Sequence, residues 1–395
     1  MLISQIQLNK ACLAIAIVDT KIDRIIDLQI IAKDKENILG NIYVGKVQKI
    51  ATHLNAAFID IKPNAACYYS LTKNKTAYIT STPKREVLKA GDELLVQVSS
   101  EAQKEKMPTV TSQLSIVSKY AVLTYGKKGI GISARLAEDE KVRLRELLSP
   151  YIVEGCGIVA RTNAANASDE DILSDVRELQ KRWSEIRHLG DTRTCYSLVD
   201  TAKPEYVQTL ESIRSDSLAE IITDDEEVFL YLQQYLKQSA LNRSKKIRYY
   251  DDKMLSLAKL YPIESTLDTA CKDKVWLRSG GFLIIQQTAA FVAIDVNSGK
   301  FQSKKNAAQT YQRINLEAAA EIAIQLRLRN LSGIILIDFI NMDARAEQEL
   351  LLEALQKHLH QDSNKAVVID ITPLHIVEVT RQKSKKSLAE QIADI

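Results

Sequence analysis

The chain has 395 residues, which is enough for several domains with their own hydrophobic cores. Hydrophobic residues make up 46% and charged residues 26%, as in ordinary globular proteins, and the net charge of +3 does not by itself argue for a nucleic-acid or membrane partner. The longest apolar run near the start, residues 11–18, is too short to span a bilayer and has no signal-peptide flanks, so it predicts a buried strand in a cytoplasmic protein.

The five cysteines are widely separated, and none lies in a Cys-x-x-Cys pair. Such pairs supply the ligands of structural zinc sites and the thiols of redox motifs. The sequence therefore predicts reduced, structural thiols and no structural zinc.

The first part of the chain consists of strand patterns separated by turn residues. Residues 1–37 contain three strand-like runs, which predict part of a small α/β domain. From Gly40 to Val98, short alternating strands, turn glycines and interspersed lysines favour a five-stranded barrel of the OB type, with an open β-meander as the alternative.

Residues 120–204 are predicted to combine strands with a long helix. The helix runs from about Ala167 to Arg187, and Ser168 or Asp169 can cap its first turn. From residue 205 to residue 273 an α/β pattern resumes, which predicts the second part of the domain that residues 1–37 begin.

Two aspartates each close an apolar run in the last third of the chain. Asp295 ends the run that starts at Phe291, and Asp338 ends the run that starts at Ile334; both runs are long enough for strands buried on both faces. The helical pattern of residues 316–329 lies between them, which predicts a strand–helix–strand unit with parallel, adjacent strands.

Both carboxylates would then emerge at the same edge of the sheet, where α/β proteins bind ligands. Carboxylates placed together repel each other unless a cation or a proton lies between them. This favours a Mg²⁺ site for phosphodiester chemistry, and the alternative is that each aspartate simply caps a turn.

The residues around this pair resemble the catalytic domain of the ribonuclease E/G family. The resemblance is carried by separated motifs in the same order: Leu277-Arg-Ser-Gly280-Gly281, Ala293-Ile-Asp295-Val-Asn297-Ser298, Asn315-Leu-Glu-Ala-Ala, Ile322-Ala-Ile-Gln-Leu-Arg-Leu-Arg-Asn-Leu-Ser-Gly333 and Ile337-Asp338-Phe-Ile. Order and spacing match from about residue 1 to residue 388.

The resemblance implies an α/β and β multidomain fold. An RNase H-like domain (residues 1–37 and 205–273) would be interrupted by an S1 (OB-fold) RNA-binding domain (38–119) and a 5′-sensor region (120–204). A DNase I-like α/β catalytic domain (274–395) would follow.

The resemblance also implies a Mg²⁺-dependent endoribonuclease, with Mn²⁺ as an alternative ion. Asp295 and Asp338 would bind the metal, and Asn297 would orient Asp295 or a metal-bound water. A metal-activated water would hydrolyse single-stranded RNA to leave 5′-phosphate and 3′-hydroxyl ends. The substrates would be ribosomal-RNA precursors or messenger RNA undergoing decay.

Three other matched positions imply contacts with RNA. Phe58 and Tyr68 would offer their rings to bases, which stack on aromatic side chains with little regard to sequence. Lys106 would reach the RNA backbone. For Phe58 the alternative is a core residue, and for Lys106 it is a solvated surface charge.

A pocket for a 5′-monophosphate is implied at four positions: Arg161, Thr162, Val122 and Lys365. A guanidinium and a hydroxyl suit the oxygens of a phosphate group. The sequence departs from the family pattern at Ser118, where glycine is usual, and at Lys365, where arginine is usual. A lysine keeps the charge but loses the two-pronged contact that arginine makes.

Two other functions are alternatives to this one: a catalytically weak or inactive RNA-binding protein that keeps the fold, and a metal-dependent phosphatase or nucleotidase. The presence of Asp295, Asn297 and Asp338 argues against the first, and the S1-like segment argues against the second. Family members usually continue into a Cys-Pro-x-Cys motif whose thiolates share a zinc between subunits. This sequence has no such motif, so an oligomer is not expected to form through a zinc link.

Overall fold

The chain divides into two compact units. The first contains Met1–Lys35, Leu218–Tyr235 and Ser244–Ile395, and the second contains Glu36–Ser217 and Leu236–Arg243. The computed structural model describes residues 1–34, 37–81, 87–102, 107–133, 136–165, 167–213, 218–238, 246–299, 307–340, 345–383 and 385–395. Within these ranges no helix is long and apolar enough to cross a membrane.

In the described residues, eleven strands precede the first α-helix, and strands and helices are interspersed beyond it. The strands are β1 Leu2–Gln7, β2 Ala11–Asp19, β3 Arg24–Ala32, β4 Ile42–Ala51, β5 Ala56–Asp60, β6 Ala66–Ser70, β7 Glu93–Ser100, β8 Thr109–Thr111, β9 Ser115–Val117, β10 Ala121–Tyr125, β11 Gly129–Ile132, β12 Cys156–Ala160, β13 Leu198–Asp200, β14 Glu220–Thr223, β15 Lys246–Tyr249, β16 Lys274–Trp276, β17 Phe282–Gln287, β18 Phe291–Asn297, β19 Gly333–Asp338, β20 Ala366–Ile371 and β21 Ile376–Arg381. The α-helices are α1 Glu138–Leu148, α2 Asp169–Thr192, α3 Glu205–Ser212, α4 Glu226–Gln238, α5 Leu257–Leu260, α6 Ile263–Ala270, α7 Ala307–Leu328, α8 Arg345–Leu359 and α9 Leu388–Ala393.

One sheet of the first unit joins the start of the chain to a distant segment. Its strand order is β15-β14-β1-β2-β3, in which β1 pairs with β14 in parallel and with β2 antiparallel. The apolar run in β2 is buried, as the sequence predicted. Arg24 on β3 donates two hydrogen bonds, of 2.5 and 2.7 Å, to the Glu321 carboxylate on α7.

The other sheet of the first unit carries the two aspartates. Its order is β16-β17-β18-β19-β21-β20, and β18 and β19 are parallel neighbours connected through α7. The predicted strand–helix–strand unit is therefore confirmed. The prediction that both strands are buried on two faces is wrong, because burial alternates along β18 and β19. One face packs on α7 and α8, through residues such as Ile294, Ile335 and Leu355, and the other carries exposed side chains.

The second unit contains a closed five-stranded barrel. Strands β4, β5, β6, β8 and β7 pair in that order, and β7 pairs back to β4. The barrel is filled by alternating apolar residues of its strands, including Val47, Ile59, Tyr69, Leu94 and Val96. The predicted barrel is thus confirmed over the open meander, while its assignment as an S1 domain stays a prediction.

The rest of the second unit is a four-stranded sheet with helices. Its order is β11-β12-β10-β9, and α2 packs against β10. The predicted helix is present and ends at Thr192, a little beyond the predicted Arg187. Ser168 is its N-cap, as expected, because its side chain accepts a 3.1 Å hydrogen bond from the Asp171 amide.

The order of segments bears on the predicted domain boundaries. Helix α3, which the sequence grouped with residues 1–37, belongs to the second unit. There Asn163 donates to the Glu211 carbonyl at 2.8 Å, and Lys203 pairs with the Glu211 carboxylate at 2.6 Å. The four boundaries named above, and the RNase H-like and DNase I-like assignments, stay predictions.

Candidate functional site

The two aspartates lie side by side on the exposed face of the β16-β17-β18-β19-β21-β20 sheet in the first unit. Asp295 on β18 and Asp338 on β19 are register partners in the parallel pair. Neighbouring strands are about 4.8 Å apart, so both side chains leave the same face from adjacent backbones. Both residues are exposed, which leaves their carboxylates accessible to solvent and ligands.

Asn297 is part of the same site. It lies two residues beyond Asp295 on β18, and the two-residue period of a strand puts both side chains on one face. The Asn297 Nδ2 group donates a 2.9 Å hydrogen bond to Asp295 Oδ2. The structure therefore brings together all three residues that the sequence assigned to the cleavage site.

A glycine-rich loop packs against the end of β18. Gly299 has a φ of +66°, and a Cβ atom there would lie 2.3 Å from the Gly280 carbonyl oxygen. A Cβ at Gly281 would lie 2.7 Å from the Asn297 carbonyl oxygen. Such contacts are too close for any larger residue without movement of the backbone. Only glycine at these two positions lets the backbone segments approach this closely beside Asn297.

Helix α7 holds the loop from the other side. The Glu317 carboxylate accepts hydrogen bonds from the backbone amides of Arg278, at 2.6 Å, and Ser279, at 3.2 Å. The sequence places Glu317 in one of the family motifs but does not reveal this contact.

Asn315 is a second residue on α7 whose role the sequence did not reveal. It is fully buried. Its Nδ2 donates to the Ile340 carbonyl at 2.7 Å, and its Oδ1 accepts from the Ile340 amide at 3.1 Å. Both backbone groups of a residue just past Asp338 are thereby fixed. The signal available in the sequence was an amide side chain on the apolar face of a helix, between Ile314 and Ala318.

The donor set of this site suits a hard cation. In the described part of the chain, no group of three or more His, Cys, Asp or Glu side chains is arranged to hold a metal ion. Asp295 and Asp338 supply two carboxylates, and Asn297 adds an amide. Mg²⁺ is typically held by one or two carboxylates while it keeps several waters, so two exposed aspartates on one sheet face fit this ion.

Two aromatic residues form a pair on the barrel of the second unit. Phe58 on β5 and Tyr68 on β6 are register partners, and both are partly exposed. Their strand neighbours Ala57, Ile59, Cys67 and Tyr69 point into the barrel core, whereas Phe58 and Tyr68 are not part of that core. The structure thus favours a surface position for Phe58 over the alternative of a core residue.

A lysine that sequence reasoning did not single out lies beside this pair. Lys49 on β4 is the register partner of Phe58 and is exposed. A cation next to two rings is the arrangement that single-stranded nucleic acids find in many binding grooves. Lys106, which the sequence assigned to the RNA backbone, lies outside the described residues.

Arg161 is held in a network around the turn that precedes β10. Its Nη1 donates to the Ser118 carbonyl at 2.5 Å, and its backbone amide donates to the Tyr120 carbonyl at 2.8 Å. The Ser118 hydroxyl donates to the Asp175 carboxylate on α2 at 2.5 Å, and the Tyr120 amide donates to the same oxygen at 2.9 Å. The Ser118 hydroxyl is therefore directed at Asp175 and at the Ala121 carbonyl.

Asp175 is the buried end of this network. Burial raises the pKa of its carboxyl above the ordinary value of 3.8, and the hydrogen bonds from Ser118 and Tyr120 only partly offset that rise. The carboxyl ties the 118–120 turn to α2, and the turn in turn holds Arg161.

The other three residues predicted for the 5′-monophosphate pocket lie on different elements. Thr162 is exposed and begins a short 3₁₀ helix, Thr162–Ala164, directly after Arg161. Val122 lies half-buried on β10, opposite Val117 and Val159 in the neighbouring strands. Lys365 belongs to the first unit, where it is exposed and precedes β20.

Comparison with known proteins identifies the family. The family model described as the Ribonuclease E/G family matches residues 115–384. The chain is 33% identical over 359 residues to ribonuclease E of Synechocystis sp., covering 89% of this chain and 53% of that protein. It is 30% identical over 375 residues to ribonuclease G of Salmonella typhimurium, covering 92% of this chain and 76% of that protein.

Ribonuclease G of Escherichia coli gives the same coverage at 29% identity. The chain thus spans about half the length of the ribonuclease E relative and about three quarters of the ribonuclease G relatives. With a family match over more than half of its residues, this chain belongs to the Ribonuclease E/G family.

Proposed function

We propose that this protein is a Mg²⁺-dependent endoribonuclease that hydrolyses phosphodiester bonds in single-stranded RNA. The observation that carries the proposal is the register of Asp295 with Asp338 on the exposed face of a parallel strand pair. Membership in a family whose relatives are named ribonucleases supplies the substrate class.

The two aspartates would hold the cation, and Asn297 would hold Asp295 in place through its 2.9 Å hydrogen bond. A bound Mg²⁺ supplies a Lewis acid that lowers the pKa of water and neutralises charge on a phosphate. The protein's own part is to fix two carboxylates on neighbouring strands. Asn315 keeps the backbone just past Asp338 in position, and Glu317 holds the loop that packs beside Asn297.

The barrel of the second unit would bind the RNA. Phe58 and Tyr68 offer two rings side by side, on which bases stack with about 1–3 kcal/mol each. Lys49 on the adjoining strand would contact a phosphate. Lys106 is proposed for the same purpose.

Arg161, with Thr162 and Val122, is proposed to recognise a 5′-monophosphate, and the role of Lys365 stays a prediction. Arg161 is already oriented by the Ser118 carbonyl, and orienting a guanidinium before binding reduces the entropy lost on binding. Ribosomal-RNA precursors and messenger RNA in decay are the proposed substrates, in the cytoplasm.

Cleavage of a short, A/U-rich, 5′-monophosphorylated RNA tests the proposal. The wild type should cut the RNA internally when Mg²⁺ is present. Asp295→Asn and Asp338→Asn remove one charge each at nearly constant shape, so both should bind the RNA and lose cleavage by at least about 100-fold, the range of a lost charge-stabilising group. Asp370→Asn, an exposed aspartate on β20 of the same sheet, is the matched control and should cut normally.

A wild type that binds this RNA and cuts no faster than the two asparagine variants would contradict the endonuclease proposal. It would instead favour the second candidate, an RNA-binding protein that keeps the fold without useful turnover.

A further inference from the structure

An exposed tryptophan lies on the same sheet face as the two aspartates. Trp276 on β16 has 64% of its surface exposed, whereas the other tryptophan, Trp183, is buried. Its register partner on β17 is Phe282, and the partner of Phe282 on β18 is Asn297. Because register partners share a face, the indole lies in the same row as the amide that bonds to Asp295.

A lysine and a phenylalanine complete this surface, which we call the Trp276 platform (Lys274, Trp276 and Phe282). The Trp276 and Phe282 rings are 5.4 Å apart at 62°. The Lys274 ammonium lies 4.0 Å from the Trp276 centroid and 3.8 Å from the Phe282 centroid. Lys274 also shares a row with the aspartates, because successive register partners lead from Lys274 to Ile284, Asp295 and Asp338.

The platform is close enough to the carboxylates to share one ligand with them. Two strand spacings separate β16 from β18, which is about 10 Å between backbones. An indole extends several ångströms from its backbone, so a chain lying across this face can reach the ring and the aspartates together. The positive charge of Lys274 suits a ligand that carries phosphates.

We propose that the Trp276 platform stacks a nucleobase of single-stranded RNA, close to the phosphodiester that lies at Asp295 and Asp338. The proposal rests on the proposed ribonuclease function and adds a second base-binding surface to it, on the cleavage face itself. An exposed indole beside a cation is the side-chain pair that single-stranded nucleic acids use for stacking and phosphate contact. The Trp276 platform lies on the same sheet face as Asp295 and Asp338, which favours RNA over a partner unrelated to cleavage as its ligand.

RNA affinity measured in the Asp338→Asn background, where the RNA stays intact, tests this placement. Trp276→Ala should raise the Kd for a short labelled RNA by roughly 5- to 150-fold, the range of one lost stacking contact. Trp276→Phe should restore most of the affinity, because a ring remains. Phe291→Ala is the matched control: Phe291 is an aromatic residue, 38% exposed, on the same face at the opposite end of β18, and its loss should leave the Kd unchanged.

An abasic scan shows whether the contact is with a base. In a set of RNAs that each lack one base, one RNA should bind the Asp338→Asn protein more weakly than the intact RNA does. Its loss of affinity should equal the loss that Trp276→Ala causes with the intact RNA. The double variant Asp338→Asn, Trp276→Ala should bind that abasic RNA and the intact RNA with equal affinity, because it already lacks the stacking contact with Trp276.

The outcomes separate this inference from the proposed function. If wild type cuts RNA while Trp276→Ala leaves the Kd unchanged, or shows no coupling to any abasic position, the platform is refuted and the ribonuclease function stands. If Phe291→Ala weakens binding as much as Trp276→Ala, the contact is not local to the platform and the inference is also refuted. If the wild type neither binds nor cuts single-stranded RNA, both proposals are refuted.

Discussion

At the scale of single residues, two asparagines hold the candidate site. Asn297 bonds to Asp295 directly, and its place two residues along the same strand made its position foreseeable from the sequence. Asn315 acts at a distance in sequence, through both backbone groups of Ile340. No local pattern reveals such a contact, because it depends on how α7 packs beside the end of β19.

Replacement of Asn315 should affect stability and the site together. Asn315→Ala leaves the Ile340 amide and carbonyl without their buried partner, at a cost of about 1–3 kcal/mol in the free energy of unfolding. Because Ile340 follows Asp338 closely, the variant should also bind the metal ion more weakly at temperatures where it is fully folded. Urea unfolding and Mn²⁺ titration measure the two effects.

Asn315→Asp is the charged comparison for this change. Its carboxylate can still accept from the Ile340 amide, but it would face the Ile340 carbonyl oxygen in a fully buried position, so at neutral pH it should lose at least as much stability as alanine. If Asn315→Ala loses stability while the metal affinity of the folded protein is unchanged, Asn315 has a structural role only.

At the scale of elements, hydrophobic pattern predicted the strand pair but not its environment. The apolar runs that end at Asp295 and Asp338 gave the parallel pair and its crossover helix correctly. They could not distinguish a strand with one buried face from a strand with two. Residues such as Phe291 and Ile334 are apolar yet lie on the exposed face, so composition suggested more burial than the structure has.

Asp175 connects another pair of elements, α2 and the 118–120 turn, and predicts a pH dependence. Burial raises its pKa in the folded protein above 3.8, so the folded state binds a proton more readily than the unfolded state does. Stability relative to a neutral side chain should therefore be greatest at acid pH and fall as pH rises from about 4 through the raised pKa.

Asp175→Asn is the neutral comparison for this effect. The free energy of unfolding of wild type minus that of the variant, measured from about pH 4 to pH 7, should decrease with rising pH and then level off. Parallel curves for the two proteins would contradict the account. They would mean that the hydrogen bonds from Ser118 and Tyr120 fully offset the burial of the carboxyl.

At the scale of the whole molecule, sequence patterns and family resemblance predicted some parts of the fold better than others. The alternation of short strands from Gly40 to Val98 gave a barrel, and its closure through β4 and β7 is what the structure adds. The resumed α/β pattern of residues 205–273 predicted a second part of the domain begun by residues 1–37, and the parallel pairing of β1 with β14 is what the structure adds. The placement of α3 in the second unit was not expected, because it depends on contacts of Glu211 with Asn163 and Lys203.

The residues of the candidate site divide in the same way. Asp295, Asn297 and Asp338 were predicted together and lie together, because the carboxyl ends of adjacent parallel strands meet at one edge of the sheet. The exposed indole of Trp276 could not be placed beside them from its sequence, since it belongs to a separate strand whose position depends on two successive pairings.

The central claim is that Asp295 and Asp338 form one cation site, and direct metal binding tests it most plainly. Electron paramagnetic resonance, with Mg²⁺ as competitor, should show that the wild type binds Mn²⁺. Asp295→Asn and Asp338→Asn should each lower the affinity for Mn²⁺ about tenfold or more. Asp370→Asn should bind the ion as the wild type does. If both asparagine variants keep the wild-type affinity, the two aspartates do not hold the metal, and the account of the site is contradicted.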